Sequence, residues 1–221
     1  MVERHAFFEI CDVVHMPRVL AGLLNPETDH SLRARKMTAS PSVLSVIAAS
    51  ELDVEEQAFI AACSEGEVPM TEGGGASPFT VLYSGGRLLN PTNPNIKVIS
   101  GNRYWEGGLS SFPNWDGATV GQLVSTAAGL CQDTRTTFQG EAAKFHVTDF
   151  TPASQVEFNI QLARSRFTAA SGGMELIAAL KAGASGLLLI PTYLKATWPG
   201  GCDNRFPKRY TANLAALRSV S

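Results

Sequence analysis

The residues best equipped for chemistry lie in SGNRYWEGGLSSFPNWDG, residues 100 to 117, where Tyr104, Trp105, Phe112 and Trp115 stand beside Glu106 and Asp116. Aromatic rings offer stiff apolar area with polar handles, and carboxylates beside them can orient a hydroxyl-rich ligand, a combination that lines sugar sites. The same side chains would serve as anchors at a subunit contact. They would also seal a loop against a core, and the composition leaves all three readings open.

Other constellations are thinner. His146 and Asp149 are further acid-base candidates, but they fall on opposite faces of a strand expected over 144 to 150 and cannot pair by themselves. Cys11 and His15 are four residues apart, with Glu9 and Asp12 close and His5 upstream, yet two good ligands do not make a metal site, and none is expected. His30 sits in a polar turn. No GxxxxGK[ST] or strand-preceded GxGxxG occurs, no cofactor is expected, and the glycines of TEGGGASP, residues 71 to 78, read as a linker or hinge.

RYWEGGL, residues 103 to 109, resembles the aspartate-glycine motif of patatin-like phospholipases, with Glu106 in place of the aspartate. That resemblance would imply a serine nucleophile, but no GxSxG elbow exists to supply one. Residues 178 to 198 look like a helix-turn-strand unit of the dihydrodipicolinate synthase type of aldolase barrel, which would imply a Schiff-base lysine. The preceding residues lack the strand-helix alternation of a barrel, so no lysine is assigned.

The elements that must position these groups follow from periodicity. Pro17 opens a helix that Asn25-Pro26 ends, a second short helix covers Glu27 to Met37, and SVLSVIAAS after Pro41 suits helix or strand equally. Asp53 and Glu56 have capping-pair spacing for a helix ending at Gly66. Hairpins are expected over 79 to 90 and 96 to 105, and a helix over 118 to 130 behind Asp116. Val156, Phe158, Ile160 and Leu162 alternate with polar residues as a half-buried strand paired with 144 to 150. A short helix over 174 to 181, strands over 187 to 190 and 193 to 198, and a helix over 211 to 218 complete an α+β fold without internal repeats.

The 221 residues can bury a sizeable core, and four scattered cysteines without a CxxC pair read as reduced thiols in the cytoplasm or in an assembled particle. No signal peptide and no run of eighteen apolar residues is visible, which argues against a membrane. Charge divides the chain: residues 1 to 72 hold five Lys/Arg against twelve Asp/Glu, and residues 73 to 221 hold thirteen against eight. The boundary suggests an acidic helical part followed by a mixed part, and opposite charges suit head-to-tail self-association in a homo-oligomer. Arg205, Lys208 and Arg209 cluster near Phe206 and Tyr210, but no longer basic run or nucleic-acid motif accompanies them. The leading expectation is therefore a non-enzymatic structural subunit of a larger assembly, a shell, tube or virion-type protein. The competing one is a small-molecule hydrolase or lyase with an acid-base site near the 100 to 117 loop.

Overall fold

A computed structural model describes residues 41 to 68 and 77 to 219. The helices expected over Pro17 to Leu24 and Glu27 to Met37, the His5, Glu9, Cys11, Asp12 and His15 group, His30 and the triple glycine lie outside the described residues. The architecture is α+β: helices surround one central helix, and two small antiparallel sheets pack at one side.

In chain order the helices are α1 Pro41–Ala48, α2 Val54–Glu67, α3 Arg135–Glu141, α4 Pro152–Ser171, α5 Leu176–Lys181, α6 Ala184–Leu187, α7 Leu189–Leu194 and α8 Phe206–Arg218. The strands are β1 Val81–Leu82, β2 Ile96–Ile99, β3 Asn102–Trp105, β4 Ala118–Val120 and β5 Leu123–Ser125.

The central helix is α4, and it corrects the strand expected over 156 to 162. Val156, Phe158, Ile160 and Leu162 are all buried, but so are Gln155, Asn159, Ala163 and Phe167. A helix packed on several sides needs no single polar face, so its sequence can alternate by chance without being a strand. Its start is written locally: the Thr151 hydroxyl accepts the Ser154 N–H at 3.4 Å, Pro152 fills the first turn, and Gly172 closes the far end at φ 74°. The partner strand expected over 144 to 150 is a 3-10 turn, Ala142–Phe145, followed by His146 at φ 58°.

The short apolar segments resolve the same way. SVLSVIA forms α1, and the strand expected over 187 to 190 is the junction of α6 and α7. Gly186 lets α6 fold back on α5, since a Cβ there would collide with the Ala179 carbonyl. The strand expected over 193 to 198 is instead the end of α7 and a turn carrying buried Trp198. Asp53 occupies the N-cap position of α2 without a side-chain cap bond, and Glu56 reaches away to Arg164 of α4 at 2.7 and 2.8 Å.

The hairpin of β2 and β3 has the expected turn, with Ser100 at φ 49° and Gly101 at φ 81°, both in the left-handed region that a two-residue hairpin loop requires. The 79 to 90 hairpin does not form. β1 pairs with β3, and the turn after it wraps the Arg103 guanidinium, which donates to the Tyr83, Gly85 and Gly86 carbonyls at 3.1, 3.0 and 2.7 Å. Where a helix was expected over 118 to 130, β4 and β5 make a second hairpin, and Gly117 at φ 91° lies too close to Ser125 for a side chain.

Gln155 joins these parts. Fully buried on α4, it donates to the carbonyls of Phe79 (3.0 Å) and Phe150 (2.8 Å) and accepts the Leu130 N–H at 2.8 Å. One side chain thus satisfies three backbone groups from three segments. Gln155→Leu would strand all three in an apolar core and is expected to destabilise the fold by about 3 kcal/mol or more, read as a lowered urea midpoint with the slope unchanged.

Candidate active site

The loop of residues 100 to 117 is held from inside. Tyr104, Trp105, Phe112 and Trp115 are all buried. Phe112 packs with Phe138 and Phe150 at centroid distances of 5.5 and 4.8 Å, and Trp105 Nε1 donates to the Gly108 carbonyl at 2.8 Å. Arg135 of α3 donates to the Pro113 carbonyl at 3.1 Å and to that of Trp115. Glu106 and Asp116 point to solvent, Glu106 in an exposed ion pair with Lys97 at 3.3 Å. Asp149 accepts the N–H and hydroxyl of Thr151 at 3.0 and 2.8 Å, and the Ser154 hydroxyl first, with these Thr151 bonds, holds it below the usual carboxylate range. His146 is exposed.

The structure gathers titratable groups elsewhere, at the C-terminal end of α2. Cys63, Glu65 and Glu67 occupy its last turns, and the next residue, Val68, packs with Val81 of β1 and Tyr104 of β3. The acids therefore sit where the helical part meets the three-stranded sheet. Two carboxylates in a last turn oppose the helix dipole, which favours cations there. A cation is supplied from α8, which lies antiparallel to α2, with Glu55 and Arg218 paired at 3.0 Å at one end. Near the other end Arg209, 6% exposed, donates to the carbonyls of Ala62 (2.9 Å), Gly200 (2.9 Å) and Gly201 (2.6 Å) and pairs with Asp203 at 3.1 Å.

Of the basic cluster singled out in the sequence, Arg205 and Lys208 are exposed, with Arg205 bound to Asp203. Arg209 alone turns inward.

Each carboxyl group has a distinct setting. Glu67 Oε1 accepts the N–H groups of Gly200 (2.9 Å) and Gly201 (2.6 Å), fastening the end of α2 to the loop before α8. This closure is steric as well, since a Cβ on Gly201 would lie 2.5 Å from Cys63 Sγ. Burial, aided by charge on Cys63, pushes Glu67 up to about 8 against those two donors and Arg209. Asp133, buried beneath, accepts a hydrogen bond from Asn159 at 2.9 Å, and burial with Cys63 pushes it up to about 7.

Glu65 is half-buried and accepts the Asn213 amide at Oε2, 3.1 Å away. Its Oε1 has no protein partner among the described residues. Burial raises this carboxyl above its ordinary value, against the Asn213 hydrogen bond and the Arg209 charge.

Three cysteines that are remote in sequence meet here. Burial opposes a Cys63 thiolate, but hydrogen bonds from Cys131 and Cys202 and the Arg209 charge outweigh it and hold Cys63 at about 5, while burial pushes Cys131 and Cys202 well up. All three are free and buried. No group of three or more His, Cys, Asp or Glu among the described residues has the geometry to hold a metal ion, and no helix among them is long and apolar enough to cross a membrane. A surface recess of about 690 Å³ beside Arg87 and Leu89 is not lined by these carboxyls.

Sequence reasoning missed Glu65, Asn213 and the thiol cluster. The usable signal was SEGE at a helix end, where acidic charge needs a compensating cation.

No protein family and no curated protein matches the chain. Among solved structures it is similar to a lysozyme from bacteriophage lambda, with a TM-score of 0.44 and 17% identity, over 78% of this chain and 97% of that one. This finding corrects the expectation of a non-enzymatic shell, tube or virion-type subunit, because the protein found is an enzyme.

The buried acids predict a pH dependence. The folded chain keeps protons on Asp133 to about 7 and on Glu67 to about 8, whereas unfolded carboxyls release them near 4. The unfolded state then binds fewer protons at these two carboxyls, so their contribution to stability falls as pH rises from about 4 to about 8, offset in part by Cys63, which ionises at about 5 in the folded chain and at about 8.5 when unfolded. Asp133→Asn removes one contribution while keeping an acceptor for Asn159. Between pH 4.5 and 7.5 it should lose less stability than the wild type, by about 2 to 4 kcal/mol in denaturant titrations.

Proposed function

We propose that the chain is a hydrolase or lyase that uses Glu65 as its general acid. The observation that carries this reading is the setting of that one carboxyl group. It is half-buried at the junction of helices and sheet, fixed through Oε2, and without a partner at Oε1 among the described residues.

A general acid must hold its proton until a leaving group needs it, and partial burial moves a carboxyl in that direction. With Oε2 occupied by Asn213, the proton is available from Oε1 to an oxygen leaving group. As the bond to that oxygen breaks, its electron pair takes the Glu65 proton. Attack by water then gives hydrolysis, and capture by a group within the substrate gives a lyase product. In either case the Glu65 carboxylate accepts the proton released, which restores the acid.

Glu67, more deeply buried and pushed up to about 8, uses its Oε1 to hold two backbone donors of the loop before α8. It fastens the site. Glu106 and Asp116, by contrast, are solvated and lie on a loop anchored from its inner face.

Clearing of a bacterial cell-wall suspension, the assay for a lysozyme, is the first activity to measure. Glu65→Gln should lower any activity found by about a hundredfold or more with the melting temperature kept. Glu67→Gln retains an acceptor for Gly200 and Gly201 and should keep most of it. Equal activity in Glu65→Gln and wild type would remove Glu65 from the chemistry.

A further inference from the structure

We infer that Asn213 is the positioning residue of this site: its amide holds the Glu65 carboxyl by Oε2 and so leaves Oε1 as the oxygen that meets substrate. The inference rests on the reading of Glu65 as the acid and deepens it.

Asn213 is fully buried, and its Nδ2 group has two hydrogens with two fixed targets. One bond goes to the Arg209 carbonyl four residues back in α8, at 3.0 Å, and locks the amide against its own helix. The other crosses to Glu65 Oε2 at 3.1 Å. A free glutamate at a helix end samples several rotamers, and its two oxygens exchange by rotation about the last bond. A single donor held by a helix backbone removes that freedom. The residue is thereby part of a pair: Arg209 and Asn213 lie one turn apart on α8, the first offsetting charge at the end of α2 and the second orienting one acid within it.

The donor also acts on proton affinity, because a hydrogen bond to a carboxylate favours the ionised form. Other charged or titratable groups of the cluster are Arg209 from α8, Asp203 and Cys202 from the preceding loop, Glu67 and Cys63 from α2 itself, and Cys131 and Asp133 from the segment before α3. Of these, Arg209 acts on Glu65 in the same direction as Asn213. Loss of Asn213 should therefore raise the pH at which Glu65 releases its proton, an effect that a merely structural side chain would not have.

The experiment is a carbon NMR titration of the full chain labelled at glutamate carboxyl carbons, with Glu65 assigned by its loss in Glu65→Gln. Asn213→Ala should move the Glu65 inflection to higher pH, and Asn213→Ser, which restores a short donor, should bring it part of the way back. If Asn213→Ala does not fold, the serine variant is read alone and should show a smaller shift in the same direction. In the cell-wall assay the alkaline limb of the pH-rate profile should move upward in Asn213→Ala, and kcat should fall about tenfold to a hundredfold from lost orientation. An unmoved Glu65 inflection in a folded Asn213 variant, with Glu65→Gln inactive, overturns this inference and leaves the proposed function standing. A fully active Glu65→Gln overturns the proposed function and this inference with it, whatever the inflection does.

Discussion

A single buried cation organises the junction on which the rest depends. Arg209 brings a permanent charge into a nearly dry environment, and it is tolerated because its Nε and Nη2 groups meet three carbonyls and a carboxylate. In return it offsets negative charge where the dipole of α2 would otherwise disfavour it. The acids and thiols around it then settle their protons cooperatively: Cys63 gives one up, Glu67 keeps one, and the neutral thiols of Cys131 and Cys202 stabilise the charge on Cys63. Removing the cation would raise the proton affinity of Cys63, Glu65, Glu67 and Cys202 together.

The scaffold beneath is built to keep that junction still. Gln155 gathers three segments onto α4, Glu56 and Arg164 lock α2 to the same helix, and Phe59 packs against Phe206 and Trp198 at 5.5 and 6.2 Å. The aromatic loop of residues 100 to 117 belongs to this scaffold. Its rings close the core around Phe138 and Phe150, and Tyr104 supplies part of the apolar patch on which Val68 lands.

The α+β class, α2, the later turns of α8 and the β2–β3 turn were legible because their signals are local: apolar spacing and a glycine at a hairpin turn, whereas residues 206 to 210 lay outside the expected helix and begin α8. α4 was not, because burial on several sides erases the polar face that distinguishes 3.6 from 2 as a period. The site was illegible for a different reason. Glu65 and Asn213 are 148 residues apart, Cys63 meets Cys131 and Cys202 only after folding, and Arg209 looked like one of three surface cations. Nothing in a linear pattern separates the arginine that turns inward from two neighbours that do not. The conspicuous residues, Glu106 and Asp116, drew attention through their aromatic neighbours, whose company reflects packing.

Both side chains that condition Glu65 reside on α8, the last helix described, while Glu65 itself is made early. A ribosome must therefore translate far past the acid before the acid has its cation and its amide. Until residues 206 to 218 emerge and dock, a nascent chain carries the carboxyl in an unfinished setting, exposed to water and free to rotate. On the reading of Glu65 as the acid, competence is thus tied to the arrival of one late segment.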